Sequence, residues 1–305
     1  MARRPSAFSA LIAIDKPAGC TSHDVVSRVR RAVGEKRVGH AGTLDPAATG
    51  VLVVGIGQAT KLLGLLTLDR KGYRATFQLG SETTTDDAEG EVTATAEVPR
   101  ELLDPTRAAA AVAALVGEHD QVPPSFSAVS VNGRRAYDAA RAGEALELKA
   151  RRVRVFGAEL LGVDPDARTW ELDLDVSKGT YIRSIARDLG RDLGCRAHVS
   201  ALARTFAGHV TLADCVSLDE LEAGGVELVH ERCLDPVAAL GLPARELALE
   251  EVPDVMCGRR IEAGGVAHGQ RVALTFGDGL VGIWRCDARH LVCESNFPQA
   301  IEGVR

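Results

Sequence analysis

The order in which strand and helix periodicities follow one another most constrains what this chain can fold into. Residues 11–14 and 51–56 are short, unbroken apolar runs and read as buried strands. Between them Thr21 or Ser22 caps a helix running to about Val33, with Val25, Val26 and Val29 on one face and Arg28, Arg30 and Arg31 largely on the other. Residues 59–66 read as a short helix, 72–79 as a strand, 81–90 as a polar loop and 106–116 as an alanine-rich helix. Asn132-Gly133 signals a turn, 153–163 and 169–176 a hairpin around Pro165-Asp166, and 181–193 a helix with Ile182, Ile185, Ala186 and Leu189 on one face. No regular βαβ alternation runs through this succession. It predicts an α+β fold with a mixed, mostly antiparallel sheet and flanking helices, and argues against a Rossmann arrangement.

A length of 305 residues predicts two domains. A break falls at Leu242-Pro243, so the expected domains are 1–242 and a small β-rich module at 243–305, with turns at Gly264-Gly265, Gly277-Asp278-Gly279 and Asp287-Ala288. With 46% hydrophobic and 26% charged residues, the chain is not intrinsically disordered. No run approaches the roughly 18 apolar residues of a membrane helix, and the start has no signal-peptide pattern, so a cytoplasmic location is expected. The seven cysteines form no CxxC pair, which fits reduced thiols better than a disulfide or zinc framework.

The net charge of −6 at face value argues against nucleic acid, but it is unevenly distributed. Residues 1–61 carry +5, 62–129 carry −6, 130–215 carry +2 and 216–305 carry −7. Binding to a polyanion depends on local patches, so RNA stays open as a partner.

The segment GHAGTLDPAATG (39–50) is a loop by composition and the most informative stretch. Its glycines permit close backbone approach to a bulky ligand, and it carries neither a P-loop nor a dinucleotide fingerprint. Spacing alone leaves Asp45 open between a turn cap before Pro46 and a carboxylate offered to a ligand.

With neighbouring blocks this loop resembles the bacterial tRNA pseudouridine synthase B (TruB) family. The matching stretches are DKPAGCTSHDVVSRVRR (15–31), VGHAGTLDPAATGVLVVGIGQATK (38–61), KGYRATFQLG with TTTDDAEG (71–90), QVPPSFSAVSVNGRRAY (121–137), SKGTYIRSIARDLG (177–190) and HVSALART (198–205), in the family's order. The resemblance implies a pseudouridine synthase fold with a central cleft and a C-terminal PUA-like RNA-binding module. It implies isomerisation of the T-loop uridine at tRNA position 55, after the nucleotide is flipped out, with no cofactor and no metal.

Residue by residue, the resemblance makes Asp45 the catalytic carboxylate and Arg183 the cation that keeps it ionised. Tyr73 matches the tyrosine that stacks on the uracil and handles the C5 proton, Tyr181 a second pocket tyrosine, and Leu202 the apolar residue on the base's other side. His40 matches the histidine that enters the space vacated by the base. Lys16, Lys61, Arg151 and Arg152, with Arg28, Arg30, Arg31, Lys36 and Arg37, are the candidate phosphate contacts. Each of them is equally a solvated charge by sequence alone. Ser130 stands where the family usually has lysine, a contact that Arg134 or Arg135 could supply.

The expected partner is the T-arm of tRNA, met by a monomer with no guide RNA, membrane or obligate protein partner. Two other readings stand beside this one. The first is a tRNA-binding or tRNA-folding protein whose catalysis is secondary. The second is the catalytic subunit of a guide-RNA particle, disfavoured because the long basic extensions expected there are missing.

Overall fold

The structure is a computed structural model that describes residues 6–305 apart from 68, 69, 128, 132, 143 and 145, and apart from the side chains of 131, 135, 137, 138 and 141. Asn132 of the expected turn, and the side chains of Arg135 and Tyr137, therefore lie outside the described residues. The chain forms two compact units, one of residues 1–69 with 206–305 and one of residues 70–205.

In the first unit, strand Ala10–Lys16 runs antiparallel to Thr49–Ile56, with Ile12 opposite Val54, and parallel to Cys215–Ser217. Its apolar run lacks alternation because both faces are covered. Ile12, Ile14, Leu52 and Val54 pack with Val25, Val26 and Val29 of helix Ser22–Val33 and with Leu218, Leu221 and Val229 of helix Leu218–Arg232. Leu11, Ala13, Val51 and Val53 pack on the other side with Leu280, Ile283, Phe297 and Ile301. Full burial of each valine at 25, 26 and 29 stabilises by about 1.5 kcal/mol or more, so Val29→Asp would bury an unpaired carboxylate at this joint.

Thr21 caps helix Ser22–Val33 in a capping box with Asp24, and Gly34, at φ 67°, ends it. One expectation fails nearby. Residues 39–41 are not loop: strand Val38–Ala41 pairs with Thr49–Ile56, His40 opposite Val54. Ladder pairing and burial of Val38 and Ala41 outweigh the glycine-rich composition, and the loop shrinks to 42–48.

The C-terminal part of this unit is a second, curled sheet of five strands in the order Ala244–Glu246, Arg271–Phe276, Gly279–Asp287, His290–Glu302 and Ile261–Glu262. It is antiparallel except for the first pair. Val272, Leu274, Trp284 and Leu291 fill its own core, while Leu280, Phe297 and Ile301 belong to the core shared with strand Ala10–Lys16.

The second unit orders its strands Ala197–Ala207, Lys71–Leu79, Thr169–Val176, Arg151–Asp164 and Gly117–Gln121. Along Lys71–Leu79 the residues Tyr73, Ala75, Phe77 and Leu79 are buried, whereas Arg74 points outward and pairs with Asp173 at 3.0 Å. The helix expected at 106–116 is Pro105–Ala113, started by Asp104, whose carboxylate accepts from the amides of Thr106 and Arg107. Helix Ile182–Asp192 buries Ile182, Ile185, Ala186 and Leu189 as its periodicity predicts. Gly190 is required there, because a Cβ would sit 2.3 Å from the Ala197 amide nitrogen.

Candidate active site

The residues around Asp45 show how two sequence blocks become one local structure. The loop's backbone is held at residues 44, 46 and 48 by the DKPAGCTS segment. Ser22 Oγ donates to the Leu44 carbonyl at 3.1 Å and accepts from the Leu44 amide at 2.8 Å. The Gly19 amide donates to the Pro46 carbonyl at 3.0 Å, and the Ala48 amide to the Asp45 carbonyl at 3.1 Å. Lys16 is fully buried, and its ammonium donates to the carbonyls of Pro17, Pro46 and Ala48 at 2.9, 3.1 and 2.6 Å. Three donors meet three acceptors, which makes burial of the cation tolerable. Asp45 thus projects from a backbone whose neighbours on both sides are fixed, and Leu44 and Ala48 are buried against the unit.

His40, on strand Val38–Ala41, lies in the same unit five positions before Asp45. Lys61 donates to the Asn296 carbonyl at 2.7 Å and lies 5.5 Å from the Phe297 ring, so its ammonium is tied to the C-terminal sheet. Burial, helped by the nearby Arg37 charge, pushes its pKa down.

The remaining candidates lie in the second unit. Tyr73 is opposite Leu174 on its strand and nearly buried, and Leu202 is half-buried on the adjacent strand Ala197–Ala207. Tyr181 is the N-cap residue of helix Ile182–Asp192, and Arg183 follows in the first turn. Arg183 donates to the carbonyls of Thr85 and Phe126 at 2.9 and 3.0 Å and lies 3.4 Å from an Asp87 carboxylate oxygen.

That contact is the first rung of a ladder that composition did not reveal. Arg183, Arg187 and Arg191 recur every four residues and form one stripe of the helix. Arg187 pairs with Asp86 at 2.8 Å, and Arg191 and Arg196 both pair with Glu82 at 2.8 and 2.9 Å. The 81–90 segment is accordingly no solvated polar loop. Ser81–Thr83 pairs with Val92–Thr95, and Glu82, Asp86 and Asp87 are buried against the arginines. Hydrogen bonds from Arg191 and then Arg196 hold the Glu82 carboxyl below its ordinary value. Burial pushes the Asp86 carboxyl up, and Arg187 pulls it back only in part. Four-residue spacing of arginine at 183, 187 and 191, with three acids at 82, 86 and 87, is the signal that could have announced this ladder.

The candidate phosphate contacts fare unequally. Arg28 is bound to Glu222 at 2.6 Å and Asp219 at 3.3 Å, joining the two helices of the first unit. Arg30 donates to the Val38 carbonyl and Arg37 to Thr60 Oγ1. Arg152 pairs with Glu118 and Asp120 on the neighbouring strand. Arg31, Lys36 and Arg151 are exposed. Ser130 Oγ donates to the Arg134 carbonyl, and the Arg134 guanidinium is engaged by Glu144 at 2.8 Å. Among the described residues no group of three or more histidines, cysteines or carboxylates could hold a metal ion, and no helix is long and apolar enough to cross a membrane.

Comparison with known proteins agrees with this architecture. The model of the TruB family pseudouridylate synthase N-terminal domain matches residues 30–182, and that of the tRNA pseudouridylate synthase B C-terminal domain matches 183–240. A tRNA pseudouridine synthase B from Thermobifida fusca is 49% identical over 94% of this chain and 94% of its own. One from Mycobacteroides abscessus is 45% identical over 92% of this chain and 93% of its own. Among solved structures, a chain of an H/ACA RNP bound to a substrate RNA containing 2′-deoxyuridine shares the fold, with a TM-score of 0.69 at 24% identity over 94% of this chain and 84% of that one. A chain of the archaeal box H/ACA sRNP Nop10–Cbf5 complex does so equally, with a TM-score of 0.69 over 95% of this chain and 86% of that one. Family models that meet end to end across residues 30–240, and relatives this similar over nearly the whole length, place the chain in the TruB family of pseudouridine synthases.

Proposed function

We propose that the chain converts a tRNA uridine to pseudouridine, specifically the T-loop uridine at position 55, and that Asp45 is its catalytic carboxylate. The observation that carries this reading is the Asp45 loop itself. A carboxylate sits on a backbone clamped by Lys16, Gly19 and Ser22, inside a sequence that belongs to a pseudouridine synthase family. A turn cap needs no such scaffold; a group that must meet a sugar carbon in one geometry does.

The isomerisation breaks the C1′–N1 bond, turns the uracil, joins C5 to C1′, removes the C5 proton and returns a proton to N1. Atoms and electrons balance with no redox partner. Asp45 acts at the sugar, and Arg183 favours the ionised carboxylate. Arg183 is preset for that task, with two of its contacts on backbone carbonyls and one on Asp87. Tyr73 and Leu202, on adjacent strands, bracket the base, which keeps its plane while leaving it free to rotate. Tyr73 relays the C5 proton through its hydroxyl to water, Tyr181 lines the pocket, and His40 fills the space left by the flipped base, which offsets part of an unstacking cost of about a few kcal/mol.

Lys16 serves the reaction by holding the Asp45 loop rather than by meeting phosphate, since its ammonium is buried on three carbonyls. Arg151, Arg31 and Lys36 are the better phosphate candidates because they are exposed. The enzyme works on the T-arm of free tRNA as a cytoplasmic monomer without guide RNA, and residues 243–305 form a PUA-like module beside a 1–242 catalytic domain. The names of its relatives are those of an enzyme, so the binding-only reading is not favoured.

The test is incubation of the protein with an unmodified tRNA transcript, followed by carbodiimide mapping of pseudouridine. Modification confined to the T-loop uridine supports the proposal. Modification elsewhere would overturn the substrate assignment, and none at all would overturn the enzyme.

A further inference from the structure

Strand Gly117–Gln121 ends in a buried side chain with an unusual partner. The Gln121 amide meets the Tyr181 peptide in both directions: the Tyr181 N–H donates to Gln121 Oε1 at 2.8 Å, and Gln121 Nε2 donates to the Tyr181 carbonyl at 3.0 Å. Gln121 is 4% exposed, and Tyr181 opens helix Ile182–Asp192 without a side-chain cap of its own. The residues after Gln121 continue the attachment. Ser184 Oγ and Arg187 both donate to the Val122 carbonyl at 2.9 Å, and Arg183 donates to the Phe126 carbonyl at 3.0 Å. The start of the helix is thereby strapped to the 121–126 segment, with Gln121 buried at its head.

A side-chain amide can offer a donor and an acceptor to the N–H and C=O of one residue at the same time; no apolar or charged side chain of that size can. Breaking the pair would leave the Tyr181 amide without its acceptor and the Tyr181 carbonyl with the intrahelical bond from the Ile185 amide at 3.2 Å. The two residues whose placement depends on that peptide are Tyr181 itself and Arg183, two positions on.

We infer that Gln121 is a positioning residue for the isomerisation: its amide fixes the Tyr181 peptide and, through it, the first turn that carries Arg183. This inference rests on the function proposed above. It concerns the geometry of the reacting groups and not RNA affinity, because the side chain is buried and touches protein on both hydrogen-bonding atoms.

The experiment measures single-turnover conversion of an unmodified tRNA transcript, and transcript binding, for the parent, Gln121→Met and Gln121→Glu. Methionine keeps the volume and loses both bonds, so the rate falls about tenfold to a hundredfold while the dissociation constant stays within about threefold. Glutamate keeps the acceptor for the Tyr181 amide but sets a carboxylate against the Tyr181 carbonyl. Once protonated it can donate there, and burial raises the pH at which that happens. The rate of Gln121→Glu divided by that of the parent therefore rises as pH falls from 8 to 6, a response that loss of packing would not give. A Gln121→Met enzyme at the parent's rate, or a Gln121→Glu ratio independent of pH, overturns the inference. If the parent itself makes no pseudouridine, the proposed function fails first, and the two failures are thus distinguished.

Discussion

Asp45 and Arg183 are held in place by opposite means. The Asp45 loop is fixed by backbone hydrogen bonds, one serine hydroxyl and a single buried ammonium shared among three carbonyls. Arg183 sits at the head of a charge ladder, with carboxylates at 82, 86 and 87 answering guanidiniums at 183, 187, 191 and 196. The first kind of support consists of neutral backbone groups, one hydroxyl and one ammonium. The second depends on the ionisation of buried carboxylates, and so gives the support of Arg183 an acid limit.

Several variants would break or sharpen this contrast. Arg183→Ala removes the group that the ladder serves and should lower turnover about a hundredfold or more with only a modest loss of tRNA affinity. Unchanged turnover would remove Arg183 from the reaction. Lys16→Met should destabilise the protein by about 2–4 kcal/mol in denaturant unfolding, because it strands buried carbonyls beside Asp45. If instead only the salt dependence of tRNA binding changed, Lys16 would be a phosphate contact after all.

Glu82→Gln tests the ladder more gently. Since Arg191 and Arg196 hold the Glu82 carboxyl below its ordinary value, its contribution to stability is present above that value and is lost as pH falls through the lower folded value. The variant should lose about 1 kcal/mol at pH 7, a figure discounted because the Arg191 and Arg196 side chains are 49% and 40% exposed, and its acid unfolding should be less steep than the parent's. Asp86, pushed up by burial, has the opposite sign, so an equally steep profile in Glu82→Gln would leave the acid limit unexplained by this ladder. Arg28→Ala is the control. Its partners Asp219 and Glu222 are well exposed, and unfolding should shift by less than about 0.5 kcal/mol.

What the sequence disclosed follows the same division. Periodicity located the helices at 22–33 and 182–192 and the hairpin of 151–164 with 169–176, because each buries a repeating apolar face of its own. Motif order disclosed the family, and the resemblance named Asp45 and Arg183. Composition misled where tertiary partners decide. The glycines at 39 and 42 conceal a strand whose partner lies beyond the loop, and the acids at 82–87 look like part of a polar loop because their arginines lie a hundred residues away. By sequence Lys16 is a phosphate contact or a solvated charge for the same reason: only the fold brings the carbonyls of 46 and 48 to it. The net charge of −6 was equally uninformative, since much of the acid in the second unit is already matched to arginine.

The most direct test of the account is Asp45→Asn in a single-turnover assay on unmodified tRNA transcript with carbodiimide mapping. The substitution keeps the side chain's shape, and the bonds from Lys16, Gly19 and Ser22 go to backbone atoms of residues 44, 46 and 48. The account predicts tRNA binding and thermal stability close to the parent's, with no pseudouridine at the T-loop uridine. Conversion at the parent's rate by the purified variant would contradict it.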